Sequence, residues 1–221
     1  MGLFKTIGNL LFVPEDICLF CRENPWDNIK YICRDCEQLI KFTHKEVVLN
    51  LNNIDATYYS MLYTRFIKGK IYSFKFQGNS YLFKPFGEIL AKTIEINELH
   101  KFVDFITFVP IHKRKEAKIG YNHSELLAKY ISIKFNIPLL NKHLIKSKWT
   151  IDQNKLDKLK RKNNLKDVFN TMNNEDFKGK DILLVDDIIT TGATMEECGK
   201  VLLEGGAKSI IGLALISSIK I

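Results

Sequence analysis

"DILLVDDIITTGATMEECGKVL", residues 181–202, runs from an unbroken apolar stretch into two adjacent carboxylates, then threonines around a glycine, then helical spacing. A short apolar run bounded by turn residues reads as a strand buried on both faces. "TMEECGKVLLEGG" (194–206) reads as a helix ended by Gly205 and Gly206. The turn joining strand to helix is a natural anion cradle. Successive backbone N–H groups converge there, Gly192 admits close approach, and Thr190, Thr191 and Thr194 add hydroxyl donors. Asp186 and Asp187 would repel a phosphate, but carboxylates beside such a cradle suit the adjacent hydroxyls of a ribose, directly or through Mg2+. The order of groups therefore spells a pentose 5-phosphate. Neither a P-loop nor a dinucleotide fingerprint occurs in the chain. A strand closing on two acids before a turn also has a purely structural reading.

Outward from this stretch the chain alternates strand and helix. "FVDFITFVPI" (102–111) and "SIIGLALIS" (209–217) read as buried strands, and "SELLAKYISIKFN" (124–136) as a helix with Ser124 a candidate cap. This alternation predicts an α/β fold, a largely parallel sheet flanked by helices. Ligands of such sheets lie beyond the carboxyl ends of the strands, where Asp186 and Asp187 fall. Residues 101–221 form the expected core and 46–100 a helical hood or connector, its stretch from Tyr58 mixing aromatic, apolar and basic residues.

Four of the five cysteines fall in "CLFC" (18–21) and "CRDC" (33–36), with eleven residues between the pairs. Two thiols in each tight turn can aim at one ion, and two such knuckles complete a tetrahedral zinc site. Redox chemistry or unrelated buried thiols is the alternative; two CxxC units this close favour the metal. Cys18, Cys21, Cys33 and Cys36 thus define a small zinc-ribbon-like module over residues 1–45. A closed four-thiolate set leaves no open position, so the zinc is structural. Cys198 sits in the expected helix as a small core residue.

The 221 residues are 46% hydrophobic and 26% charged, the composition of a globular protein, with a formal charge of +8. A basic balance suits anionic partners, although many Lys-rich surfaces are simply solvated. No apolar run reaches the roughly 18 residues that span a bilayer. The opening residues lack a secretory pattern, and Gly2 with Thr6 matches the loose myristoylation pattern by chance. Leu3, Phe4, Ile7, Leu10 and Leu11 have the spacing of a helix face. The chain reads as cytoplasmic, without stable membrane insertion.

"LLVDDIITTGAT" (183–194) resembles the phosphoribosyl pyrophosphate (PRPP) motif of type I phosphoribosyltransferases over its full length. More of the chain resembles the ComF/GntX-like branch. "LLFVPEDICLFC" (10–21), "FKFQGN" (74–79), "VPIHKRKEAKIGYNHSELLA" (109–128) and "QNKLDKLKRKNNLKDVF" (153–169) follow that branch's pattern in order. The resemblance implies that Asp186 and Asp187 meet the ribose hydroxyls. It implies that Ile188 and the loop Thr190, Thr191, Gly192, Ala193 and Thr194 hold the rest of the PRPP site. Pro110, Ile111, His112, Lys113 and Arg114 would form the pyrophosphate loop, and Gln153, Arg161 and Asn164 part of a mobile lid. Two positions depart from the family: Ile119 replaces an arginine and His123 a glutamine. Lys113, Arg114, Lys115 and Lys118 stand close enough to compensate.

The resemblance further implies one structural Zn2+, Mg2+ accompanying PRPP, and association with natural transformation near the inner face of the membrane. Partners would be single-stranded DNA and competence helicase or DNA-processing proteins. Nucleic-acid candidates are Lys75, Lys84, Trp149, Lys155, Lys158, Lys160 and Lys162, with Phe74, Phe76 and Tyr81 as stacking platforms, though such aromatics also serve as core. The alternative is an active phosphoribosyltransferase with no role in DNA binding. No residue declares itself a general base, and the acceptor is not legible.

Overall fold

The computed structural model describes residues 16–149 and 168–218. After the cysteine knuckles and a short helix α1 (Arg34–Gln38) come strands β1 (Phe42–Glu46) and β2 (Ala56–Leu62). Helices α2 (Arg65–Phe76) and α3 (Phe83–Ile96) follow, then β3 (Phe105–Phe108), α4 (Lys113–Ile119) and α5 (His123–Phe135). Strands β4 (Leu144–Lys146) and β5 (Phe169–Thr171) pair antiparallel as a separate ribbon. The chain then forms β6 (Asp181–Ile189), α6 (Ala193–Glu204) and β7 (Ser209–Ser217).

The main sheet has the order β1-β2-β7-β6-β3, with β1 an antiparallel edge and the other neighbours parallel. This is the helix-flanked parallel sheet that the strand–helix alternation predicts. Successive residues of a strand face opposite sides, and β6 uses this to serve two cores. Leu183 and Val185 join Phe74, Phe86, Leu90 and Leu127 from the α2, α3 and α5 side. Ile182 and Leu184 join Tyr59, Met195, Cys198 and Leu202 on the α6 side.

Three expectations need correction. Residues 46–100 are not helical throughout: "ATYYSML" (56–62) is a strand lying parallel to β7, with Ala56 opposite Ile211 and Leu62 opposite Ser217. Strand β6 runs on to Ile189, so Asp186 and Asp187 lie within its last four residues, not at its tip. The cap of α5 is Asn122, not Ser124. Its side-chain oxygen accepts from the Ser124 N–H at 3.1 Å, while its amide donates to the Val109 carbonyl at 3.0 Å. That second bond ties the helix start to the loop after β3 and leaves the Ser124 hydroxyl for other work. Among the described residues no helix is long and apolar enough to cross a membrane.

Candidate functional site

The turn from β6 into α6 is fixed by Gly192, which caps the helix with φ +78°. A side chain there would also collide, since a Cβ would lie 3.0 Å from both terminal methyls of Leu51. The loop bearing Leu51 is itself held by α6. The backbone N–H groups of Asn52 and Asn53 and the Asn53 amide donate to the Glu196 carboxylate at 3.1, 3.3 and 2.8 Å. Close by, the Asn53 carbonyl fills the space where a Gly199 Cβ would stand, 2.3 Å away. Thr190 is exposed at the turn and Thr191 and Thr194 are half-buried, so hydroxyls ring the first turn of α6.

The two acids are already engaged. Asp187 is 8% exposed, and its Oδ2 lies 2.7 Å from Lys75 Nζ. Asp186 Oδ1 accepts from the Ser124 hydroxyl at 3.0 Å and from the Asp187 N–H at 2.8 Å. Burial first, and then the neighbouring Asp187 charge, push the Asp186 carboxyl up to about 7. With Asp187 paired to an ammonium and Asp186 pushed toward its protonated form, the two acids are poor ligands for a Mg2+ ion, which needs several oxygens in near-octahedral array.

Around these groups lies a cleft of about 650 Å³. It is lined by Asp186, Asp187, Ile188, Thr190, Gly192, Ala193 and Thr194 of the strand and turn, by Pro110, Ile111 and His112 of the loop after β3, and by one face of α2. Thr191 is not in its wall, and Lys113 and Arg114 are exposed on α4. His112 caps that helix, its Nδ1 accepting from the Arg114 N–H at 3.1 Å, and its ring stands edge-on to Trp149. The cations of the cleft wall come from elsewhere: Arg65, Lys68 and Lys75 of α2, Lys115 of α4 and Lys146 of β4. Sequence reasoning missed Arg65 and Lys68, and with them the aromatics Tyr63 and Tyr72; Lys146 falls among the lysines from 142 to 166 that the sequence offers as nucleic-acid contacts.

His123 also lines the cleft. It is 5% exposed and meets Phe74 and Tyr121 edge-on at 4.9 and 5.0 Å between ring centroids. Burial holds it below the ordinary histidine range, and its Nε2 has no hydrogen-bond partner. Of the nucleic-acid candidates, Lys75 is the ion-pair partner of Asp187, a role the sequence did not suggest. Phe74 is fully buried in the core, which corrects its reading as a stacking platform. Tyr81 is half-buried beneath the Arg22 guanidinium at 4.6 Å, and Lys84 is exposed with its ammonium over the Tyr31 ring, 5.7 Å from the centroid. Phe76 and Trp149 are exposed at the cleft. Gln153, Arg161, Asn164, Lys155, Lys158, Lys160 and Lys162 lie outside the described residues.

The four cysteines converge as their spacing predicts, with every Sγ within 4.8 Å of the others. Cys21 and Cys33 sulfurs are 3.7 Å apart, and four thiolates about 2.3 Å from one zinc ion would stand about 3.8 Å apart. The donors therefore fit a tetrahedral structural Zn2+, and the set is closed. The module is seated on the helices: Phe20, between Cys18 and Cys21, packs on Phe66 of α2 and Phe86 of α3. Its carbonyl accepts from Lys70 of α2.

Residues 125–219 match the phosphoribosyl transferase domain family. Competence protein ComFC of Bacillus subtilis is 28% identical over 219 residues, 97% of this chain and 83% of that protein. Competence protein F of Haemophilus influenzae is 31% identical over 144 residues, 63% of each chain. DNA utilization protein YhgH of Escherichia coli is 31% identical over 107 residues, so the match spans 48% of this chain and 46% of that protein. A purine phosphoribosyltransferase structure from Pyrococcus horikoshii superposes with a TM-score of 0.36 at 18% identity, covering 61% of this chain and 81% of that one. The matched domain holds β6, the Gly192 turn and α6, and the alignment with ComFC runs through both cysteine pairs. The chain is a homologue of the ComF/ComFC competence proteins built on a phosphoribosyl transferase domain.

Proposed function

We propose that the cleft binds PRPP or a related pentose phosphate, and that the protein serves the handling of single-stranded DNA during natural transformation. The observation that carries the first part is the convergence in one cavity of the threonine-rich turn, the two acids and five cationic side chains. The turn takes the 5-phosphate on backbone amides and hydroxyls. The acids face the ribose hydroxyls, and the lysines with Arg65 balance the pyrophosphate charge. Any Mg2+ that accompanies the ligand would sit on its pyrophosphate oxygens, since the two acids form no oxygen cage for it.

The DNA role rests on the competence and DNA-utilization relatives and on the rim of the cleft. Tyr63, Tyr72, Phe76 and Trp149 are all exposed there beside Arg65 and Lys68. Bases stack on aromatic faces while cations track the backbone. Turnover of PRPP is a second reading, favoured by His123. A buried, neutral imidazole with an unpartnered ring nitrogen in the cleft wall is the proton acceptor that the sequence did not reveal.

Calorimetric titration of the zinc-loaded protein with PRPP, followed by assay of released pyrophosphate with candidate acceptors, tests these readings. Binding by the parent and its loss in Asp186→Asn/Asp187→Asn are expected. A folded, zinc-loaded protein that ignores PRPP would sink the proposal.

A further inference from the structure

We propose that Lys75 supplies the positive charge at the ribose end of the cleft, so that this chain takes up its pentose phosphate without needing a divalent cation. The inference rests on the pentose-phosphate reading above and concerns how that ligand is held.

Two adjacent carboxylates are a poor welcome for a ligand bearing several negative charges. Like charges held at close range repel, and more strongly at a protein surface than in bulk water. A divalent ion bridging acids and ligand would remove that repulsion. Here the compensation is already built in, because Lys75 Nζ stands 2.7 Å from Asp187 Oδ2. A divalent ion approaching Asp187 would have to displace this ammonium or sit beside a like charge.

An ammonium has three donors. With one given to Asp187, two are left for hydroxyl or phosphate oxygens of a ligand in the cleft that Lys75 lines. The lysine is also pre-positioned. The residue before it, Phe74, is fully buried against Phe86, Tyr121 and His123. The Tyr121 hydroxyl donates to the Phe74 carbonyl at 2.6 Å. The end of α2 is thereby anchored, and little conformational freedom of the backbone at Lys75 remains to be lost on binding. The second acid needs little further neutralisation, since Asp186 accepts from Ser124 and from the Asp187 amide.

The test is calorimetric titration of the full zinc-loaded chain with PRPP in two buffers. One is freed of divalent ions by passage over a chelating resin, with no soluble chelator that would strip the zinc; the other contains millimolar Mg2+. Parent affinities within about threefold of each other are expected. Lys75→Met should lose about tenfold or more in the metal-free buffer and recover with Mg2+, whereas Lys75→Arg should keep the parent behaviour. Parent binding that appears only with Mg2+ overturns the role of Lys75 and leaves the pentose-phosphate reading standing. So does a folded Lys75→Met that matches the parent in both buffers. If Lys75→Met does not fold, as judged by zinc content and circular dichroism, the parent and Lys75→Arg titrations decide. A folded parent that binds in neither buffer overturns the pentose-phosphate reading, and this inference with it.

Discussion

Asp186 carries a cost in stability that a ligand-binding role would account for. Its carboxyl is raised from 3.8 to about 7 by burial and by Asp187. Between those pH values the folded protein holds a proton that the unfolded chain has released, so stability falls as pH rises from about 4 to about 7 and is level above. Asp186→Asn removes the penalty. Its melting temperature should exceed that of the parent at about pH 8, and the gap should close toward about pH 4, as read by thermal denaturation at stepped pH. Sugar-phosphate binding should be lost in the same variant, a trade of function for stability. The adjacency of the acids and the Gly192 turn could be read directly from the chain, because the motif is contiguous. The partners could not. Lys75 and Ser124 reach the acids from more than a hundred and some sixty residues upstream, and no local pattern encodes such an encounter.

At the scale of elements, the cysteine module acts as a footing for α2, the helix that carries Arg65, Lys68, Lys75, Tyr72 and Phe76. Phe20 packs on Phe66 and Phe86, and its carbonyl takes the Lys70 ammonium. Opening one zinc ligand should therefore be felt in the cleft. Cys33→Ser is expected to lower zinc content, cost several kcal/mol of stability and weaken PRPP binding, measured by metal analysis, urea unfolding and calorimetry. Unchanged PRPP affinity in a zinc-depleted, folded variant would show that α2 stands without its footing. Element legibility varied for physical reasons. The bounds of β7 coincide with the run "SIIGLALIS", because that strand is apolar throughout and set off from α6 by two glycines. Strand β2 was hidden. It is buried on both faces without a clean alternation, and its adjacent tyrosines fit a helical run equally well. Between Asn122 and Ser124, two cap-competent residues, the choice was settled by a contact with Val109 that lies outside the helix altogether.

For the whole molecule, the cleft and its aromatic rim share one basic surface on a chain of net charge +8. Single-stranded DNA should bind with an affinity that falls steeply with salt, followed by fluorescence anisotropy of a labelled oligonucleotide. Tyr72→Ala with Phe76→Ala should cost about 1–3 kcal/mol per lost stacking contact. A bound anionic sugar phosphate lowers the positive potential of the same cleft, so PRPP should weaken DNA binding several-fold. Equal DNA affinity with and without saturating PRPP would mean that the two surfaces are independent.

The sheet order carries one more consequence. Strand β7, the latest in the chain, lies in the middle of the sheet between β2 and β6. On a ribosome adding about 5–20 residues per second, β2 emerges and waits roughly ten to thirty seconds for that partner. Through this interval β1 can cover only one of its edges. The cysteine knuckles can close around zinc as soon as residue 36 is free, but the parallel sheet assembles only when the last of its strands arrives. The nascent chain thus passes through a stage in which an apolar strand edge is open to strangers, and rapid completion of the chain should favour its proper partner.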